Sequence, residues 1–100
     1  MTDAELLIMT KSNLQIAGST WDAYLGQLIG AAKEAIARQG ITLDVSKIGD
    51  CNLIVMYASY LYRKRADDKP VMPRMLRYEL NNRLFAEKTV FDILRIGHFH

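Results

Sequence analysis

Few side chains in this sequence are of the kind that carry chemistry, and their spacing argues against a reaction centre. The two histidines, His98 and His100, lie at the end of the chain, and the one cysteine, Cys51, lies in an apolar stretch. A zinc site needs about four ligands gathered in one place, which this set does not supply. Cys51 is expected to be a small core residue, and a lone cysteine forms no internal disulfide. The carboxylates Asp3, Glu5, Asp22, Glu34, Asp44, Asp50, Glu79 and Glu87 are scattered, several of them where they suit helix starts, while Asp67 and Asp68 share a turn. General acid–base catalysis needs a carboxyl or imidazole held against the reacting group, and no pair is implied by this spacing. The six glycines stand dispersed at 18, 26, 30, 40, 49 and 97, so there is no phosphate-cradling loop. The expectation is a protein that is not an enzyme and that uses neither cofactor nor metal.

Charge is the remaining chemical feature. The formal net charge is +2, but residues 1–62 sum to −2, while 63–83 carry Arg63, Lys64, Arg65, Lys69, Arg74, Arg77 and Arg83 against Asp67, Asp68 and Glu79, a net of +4. Cations at the end of a helix complement the negative end of its dipole, and that accounts for part of the run. The same cluster suits ion pairs with an acidic neighbouring surface, or sequence-independent contact with a nucleic-acid backbone. Arg63, Lys64, Arg65, Arg74 and Arg77 are therefore the candidates for ion pairing or for facing a DNA channel.

Four helices must position these residues. Thr2 followed by Glu5 matches a capping box and opens a short helix from about Asp3 to Asn13, broken by Gly18 and Ser19. A second helix of about twenty residues starts from Ser19 or Thr20 as cap and closes at Gly40, a residue suited to a left-handed cap. At about 100° per residue, Trp21, Tyr24, Leu25, Leu28, Ile29, Ala32 and Ile36 fall on one side of it. Gly26 and Gly30 fall away from that side, where they either admit a closely packed neighbour or are simply tolerated. A third helix spans about Ser46 to Ala66. Its apolar residues, from Ile48 through Leu53, Ile54 and Val55 to Tyr62, point in every direction, so it must be surrounded.

Asp67, Asp68, Lys69, Pro70 and Pro73 form the next break, and a fourth helix spans about Pro73 to Glu87. It carries two apolar seams about 170° apart, one of Leu76, Leu80 and Leu84 and one of Met75, Tyr78 and Phe85. One seam can face the bundle; the other calls for a neighbouring molecule. Residues 89–100 hold Val90, Phe91, Ile93, Leu94, Ile96 and Phe99, too apolar for a free tail, and either fold back or serve as a docking arm. The fold expected is all-α, a small four-helix bundle with a long central apolar helix over 1–88 and a short C-terminal tail over 89–100. The start of the chain lacks a secretory pattern, and the longest near-continuous apolar run, ten positions from Leu53 to Tyr62, falls short of the about 20 residues a membrane span needs. The reading is a cytosolic protein with no membrane contact.

The short first helix, the run Tyr24-Leu25-Gly26-Gln27-Leu28-Ile29-Gly30-Ala31-Ala32-Lys33-Glu34-Ala35-Ile36, the turn at Gly40-Ile41 and the apolar helix ending Tyr62-Arg63-Lys64-Arg65 together resemble the head-tail connector, or head-completion adaptor, family of tailed bacteriophages and prophages. The likeness extends over about residues 3–87. It implies a structural virion protein at the head–tail junction, assembled in the bacterial cytoplasm as a ring, commonly a dodecamer. The ring sits below the portal protein, extends the DNA channel and presents a surface to the next tail-side component. Terminal segments dock on the portal in this family, which would give the tail that role. The Arg63-Lys64-Arg65 run is more positive than the family pattern, and the tail is short. Independently of the likeness, the candidate partner or oligomer contacts are Met75, Tyr78 and Phe85 on the fourth helix and Phe91, Ile93, Leu94 and Ile96 in the tail.

A different class fits the charge pattern: a small nucleic-acid-binding module or regulator using the basic 63–83 segment, binding duplex DNA with an affinity that falls steeply with salt. A helix-turn-helix reader fits poorly, because the connection between helices three and four is longer than that motif's turn and contains two prolines. An antitoxin-like or scaffolding module would share the partner-seeking surface.

Overall fold

The computed structural model describes residues 2–65 and 71–98, with side chains through Lys88. Within them are four α-helices and no strand: α1 (Asp3–Leu14), α2 (Asp22–Arg38), α3 (Ile48–Lys64) and α4 (Arg74–His98). The break expected at Asp67, Asp68, Lys69 and Pro70 lies outside the described residues, as do Phe99 and His100.

Helix α1 begins as its sequence dictates. The Thr2 hydroxyl accepts from the Glu5 N–H at 3.2 Å, and the Glu5 carboxylate in turn accepts from the Thr2 N–H, so two otherwise orphaned donors are satisfied together. It ends one residue later than expected, with Gln15 in the left-handed region at φ 58. Helix α2 corrects the sequence reading at its start. Neither Ser19 nor Thr20 caps it; Trp21 occupies that position without a side-chain cap, and the Ser19 carbonyl accepts only from Asp22 N–H at 3.2 Å. The Trp21 ring instead packs against Tyr62 of α3, so tertiary aromatic contact displaces the local polar cap. Gly40 follows the helix at φ 99, the left-handed conformation its lack of a Cβ permits.

The core lies where α1, α2 and α3 meet. Leu6 from α1, Leu25, Ile29, Ala32 and Ile36 from α2, and Cys51, Leu53, Ile54, Val55, Tyr57 and Ala58 from α3 are buried. Buried polar groups are paired: the Thr10 hydroxyl donates to the Leu6 carbonyl at 2.8 Å, and Ser59 accepts from the Asn13 amide at 2.8 Å. Helix α3 is central, packing against each of the other three. It is not enclosed on every side, because Ile48 is 71% exposed and Asn52 is exposed. The expectation of a fully surrounded helix thus fails over one face.

Helix α4 lies against α3 through Leu76 and Leu80, both buried, with Leu84 half-buried beyond them. Pro73 immediately precedes it, and its carbonyl accepts from Arg77 N–H at 3.1 Å. The helix does not stop near Glu87. It runs 25 residues to His98, because no proline or glycine interrupts it before Gly97. The backbone of 89–98 therefore continues α4, while the side chains of Phe91, Ile93, Leu94 and Ile96 lie outside the described residues.

Candidate functional site

Three features of the surface stand apart from the core. The first is the outer seam of α4. Met75, Tyr78 and Phe85 are 63%, 61% and 74% exposed, on the side of the helix opposite Leu76 and Leu80. A single exposed leucine would be unremarkable, but three large apolar side chains on one stripe of one helix form a patch of the kind that partners cover. Its base is rigid, because α4 is fastened to the body by a polar clamp as well as by leucines. Arg83 pairs with the Asp50 carboxylate and donates to the Thr42 carbonyl at 3.0 Å. Asp50 also accepts from Asp44 N–H at 2.7 Å, and the Glu87 carboxylate accepts from Thr42 N–H at 2.8 Å. One arginine thus joins the α2–α3 connection, the start of α3 and the middle of α4.

The second feature is an open groove of about 590 Å³ between α1 and α3, lined by Ile8, Met9, Ser12, Asn52, Val55 and Met56 among others. A smaller hollow of about 270 Å³ between α3 and α4 shares Asn52 and Met56 with it and reaches Met75. Apolar surface therefore continues from Ile8 across α3 to the foot of the α4 seam. Both hollows are open to solvent and neither encloses a converging set of polar groups, so they lack the form of a small-molecule site.

The third feature is the end of the molecule where α3 finishes. Arg63, Lys64 and Arg65 are exposed there. Trp21, Tyr24 and Tyr62 form a ring cluster, with centroids 6.0 Å apart for Trp21–Tyr24, 6.0 Å for Trp21–Tyr62 and 6.5 Å for Tyr24–Tyr62. The Arg65 guanidinium carbon lies 4.3 Å from the Tyr62 centroid and 4.8 Å from that of Trp21, within cation–π range. Lys64 lies 6.0 Å from the Tyr60 centroid. Arg74 and Arg77 are exposed on the first turns of α4. Among the described residues the ion pairs use Lys11, Lys33, Arg38 and Arg83, and none engages these five cations.

The structure thus brings together Met75, Tyr78 and Phe85, and separately Arg63, Lys64 and Arg65. Arg83, counted in the sequence with the basic stretch, belongs to neither group and is committed to Asp50. Trp21 and Tyr24 were legible only as members of the dry side of α2; their role under Arg65 comes from the antiparallel packing of α2 on α3. A usable signal was their position at the extreme start of α2, where a dry side runs out of core. Among the described residues no group of three or more His, Cys, Asp or Glu gathers as metal ligands, and Cys51 is buried, its thiol 3.2 Å from the Val45 carbonyl. No helix among them is long and apolar enough to cross a membrane. Comparison with protein-family models, curated proteins and solved structures found no match to this chain.

Proposed function

We propose that this protein is a structural assembly subunit of a tailed-phage or prophage particle, a head-tail connector that forms a ring below the portal and extends the DNA channel. The observation that carries the reading is the seam of Met75, Tyr78 and Phe85, left open on a helix whose other side is already packed. A monomer of this size has no use for such a stripe, whereas a ring subunit needs it: a head-to-tail interface joins one face of each copy to a different face of the next. The groove at Ile8, Val55 and Met56 provides a second apolar face on the same molecule. The all-α architecture and the capped short first helix agree with the family likeness over residues 3–87. The protein acts through surfaces and catalyses no reaction.

The test is co-expression with the portal protein encoded in the same genome, followed by electron microscopy of the particles. Rings of this chain stacked on the portal are expected, and a Tyr78→Asp, Phe85→Asp variant should be soluble, folded and absent from them. Portal particles that remain bare with the wild-type chain, or a genome with no portal gene beside this one, overturn the proposal.

A further inference from the structure

We propose that the end of the molecule built from the start of α2 and the end of α3 is a docking site for the phosphodiester backbone of duplex DNA, with Arg65 as its central donor and Arg63 and Lys64 beside it. The site is separate from the α4 seam and does not depend on assembly.

Helix-dipole complementarity explains why cations stand in the last turn of α3. It does not explain why Arg65 is held against two aromatic rings. Cation–π contact with Tyr62 and Trp21, whose planes stand 88° apart, holds the guanidinium at the rings, which offer its N–H donors no lone pair. Among the described residues Arg65 has no acidic partner. An arginine held against two rings, with no acidic partner for its donors among the described residues, is suited to a phosphate oxygen, and part of the entropy lost on binding is already spent in the free protein.

The identity of the anion follows from the arrangement. Arg63, Lys64 and Arg65 are consecutive, so they fan over about 200° around the helix end and do not converge on one compact anion. They suit an extended line of charge. Helices α3 and α4 run antiparallel, since Arg83 meets Asp50 and Met75 lies by Met56, so the exposed Arg74 and Arg77 stand beside the middle of α3 and contribute only to the wider positive field, outside the site itself. A single strand would be held by stacking its bases on free aromatic faces, but Trp21, Tyr24 and Tyr62 are already engaged with one another and with Arg65. The rings orient the cation, and the phosphates of a duplex are the ligand that remains.

Trp21 is the sole tryptophan, so the site carries its own reporter. A mixed-sequence duplex of about 20 base pairs, titrated onto the full chain, should change Trp21 emission and bind with an affinity that falls about 40-fold between about 50 and 200 mM salt, the dependence expected for three phosphate contacts. An Arg63→Gln, Lys64→Gln, Arg65→Gln variant, checked for an unchanged circular-dichroism melt, should lose most of this binding and flatten the salt dependence. Arg65→Lys keeps the charge and loses the planar, multi-donor head; it should weaken binding several-fold and alter the Trp21 emission of the free protein. Arg38→Gln, at the far end of α2, should bind as the wild type does. The proposal is overturned by no binding at low salt, by undiminished binding in the triple variant, by preference for the single-stranded oligonucleotide, or by displacement with polyglutamate at equal charge, which would mark an acidic-protein site. None of these outcomes bears on ring formation, which the portal experiment reads separately.

Discussion

Truncating Arg83 to Leu strands the Asp50 carboxylate, whose side chain is only 5% exposed, without its counter-charge. Removing one partner of a buried pair costs several kcal/mol, and because Arg83 is itself partly exposed the expected loss is about 3 kcal/mol in a urea unfolding curve. Asp50→Asn should cost less, since the amide keeps an acceptor for Asp44 N–H and the more exposed guanidinium keeps the Thr42 carbonyl and Glu87. A second carboxylate, Asp44, sets a pH dependence. The Ser46 hydroxyl at 2.6 Å and then the Ser46 N–H at 2.9 Å hold its pKa below the ordinary aspartate value. A depressed pKa in the folded state means that the stabilisation is complete above the unfolded value. It is lost as the pH falls through the folded one, below about 3.9. Asp44→Asn should accordingly flatten the acid limb by lowering stability near neutrality, with the two proteins converging as the pH falls below the folded value.

At the scale of the helix, three glycines give opposite expectations. A Cβ built at Gly26 or Gly30 meets nothing within 4 Å, so no close neighbour among the described residues explains either glycine on α2. Each Gly→Ala change should raise stability by about 0.5–1 kcal/mol, read as a higher thermal midpoint. Gly40 has φ 99, and there Ala should destabilise by about 1 kcal/mol or more. The added methyl would sit an ordinary 3.7 Å from Leu84, so the cost is backbone strain and not a clash. The length of α4 is a matter of the same scale. Its sequence from Lys88 to Ile96 contains no breaker, so the change of composition after Glu87 does not end the helix.

For the whole molecule, shape and exposure point the same way. The extents are 57 × 32 × 17 Å and the radius of gyration is 15.5 Å, against about 13 Å for a compact domain of this length. An extended molecule with an α4 of about 37 Å presents more surface than a closed bundle would. If the proposed assembly covers the α4 seam, a variant there should change association without changing the fold. Tyr78→Asp, Phe85→Asp should leave the unfolding curve within about 0.5 kcal/mol of wild type, because these side chains are exposed, while lowering the mass measured by light scattering at high concentration. A large loss of stability in that variant would mean the seam is packed within the monomer.

Local chemistry made several features legible in the sequence: the Thr2–Glu5 cap, the left-handed Gly40, the dry side of α2 and the two opposed seams of α4. Each rests on contacts within four residues or on helical periodicity, which a linear chain displays directly. Other features depend on residues far apart in sequence: Asp50 with Arg83, Asn13 with Ser59, and Trp21 and Tyr24 with Tyr62 and Arg65. Periodicity assigns a residue to a face of its own helix but does not say which face of another helix it meets. The sequence alone therefore determined that this chain is four helices with apolar surface in excess. The tertiary packing decided which cations are bound within the protein and which are left to the outside, because charge pairing depends on distance in space.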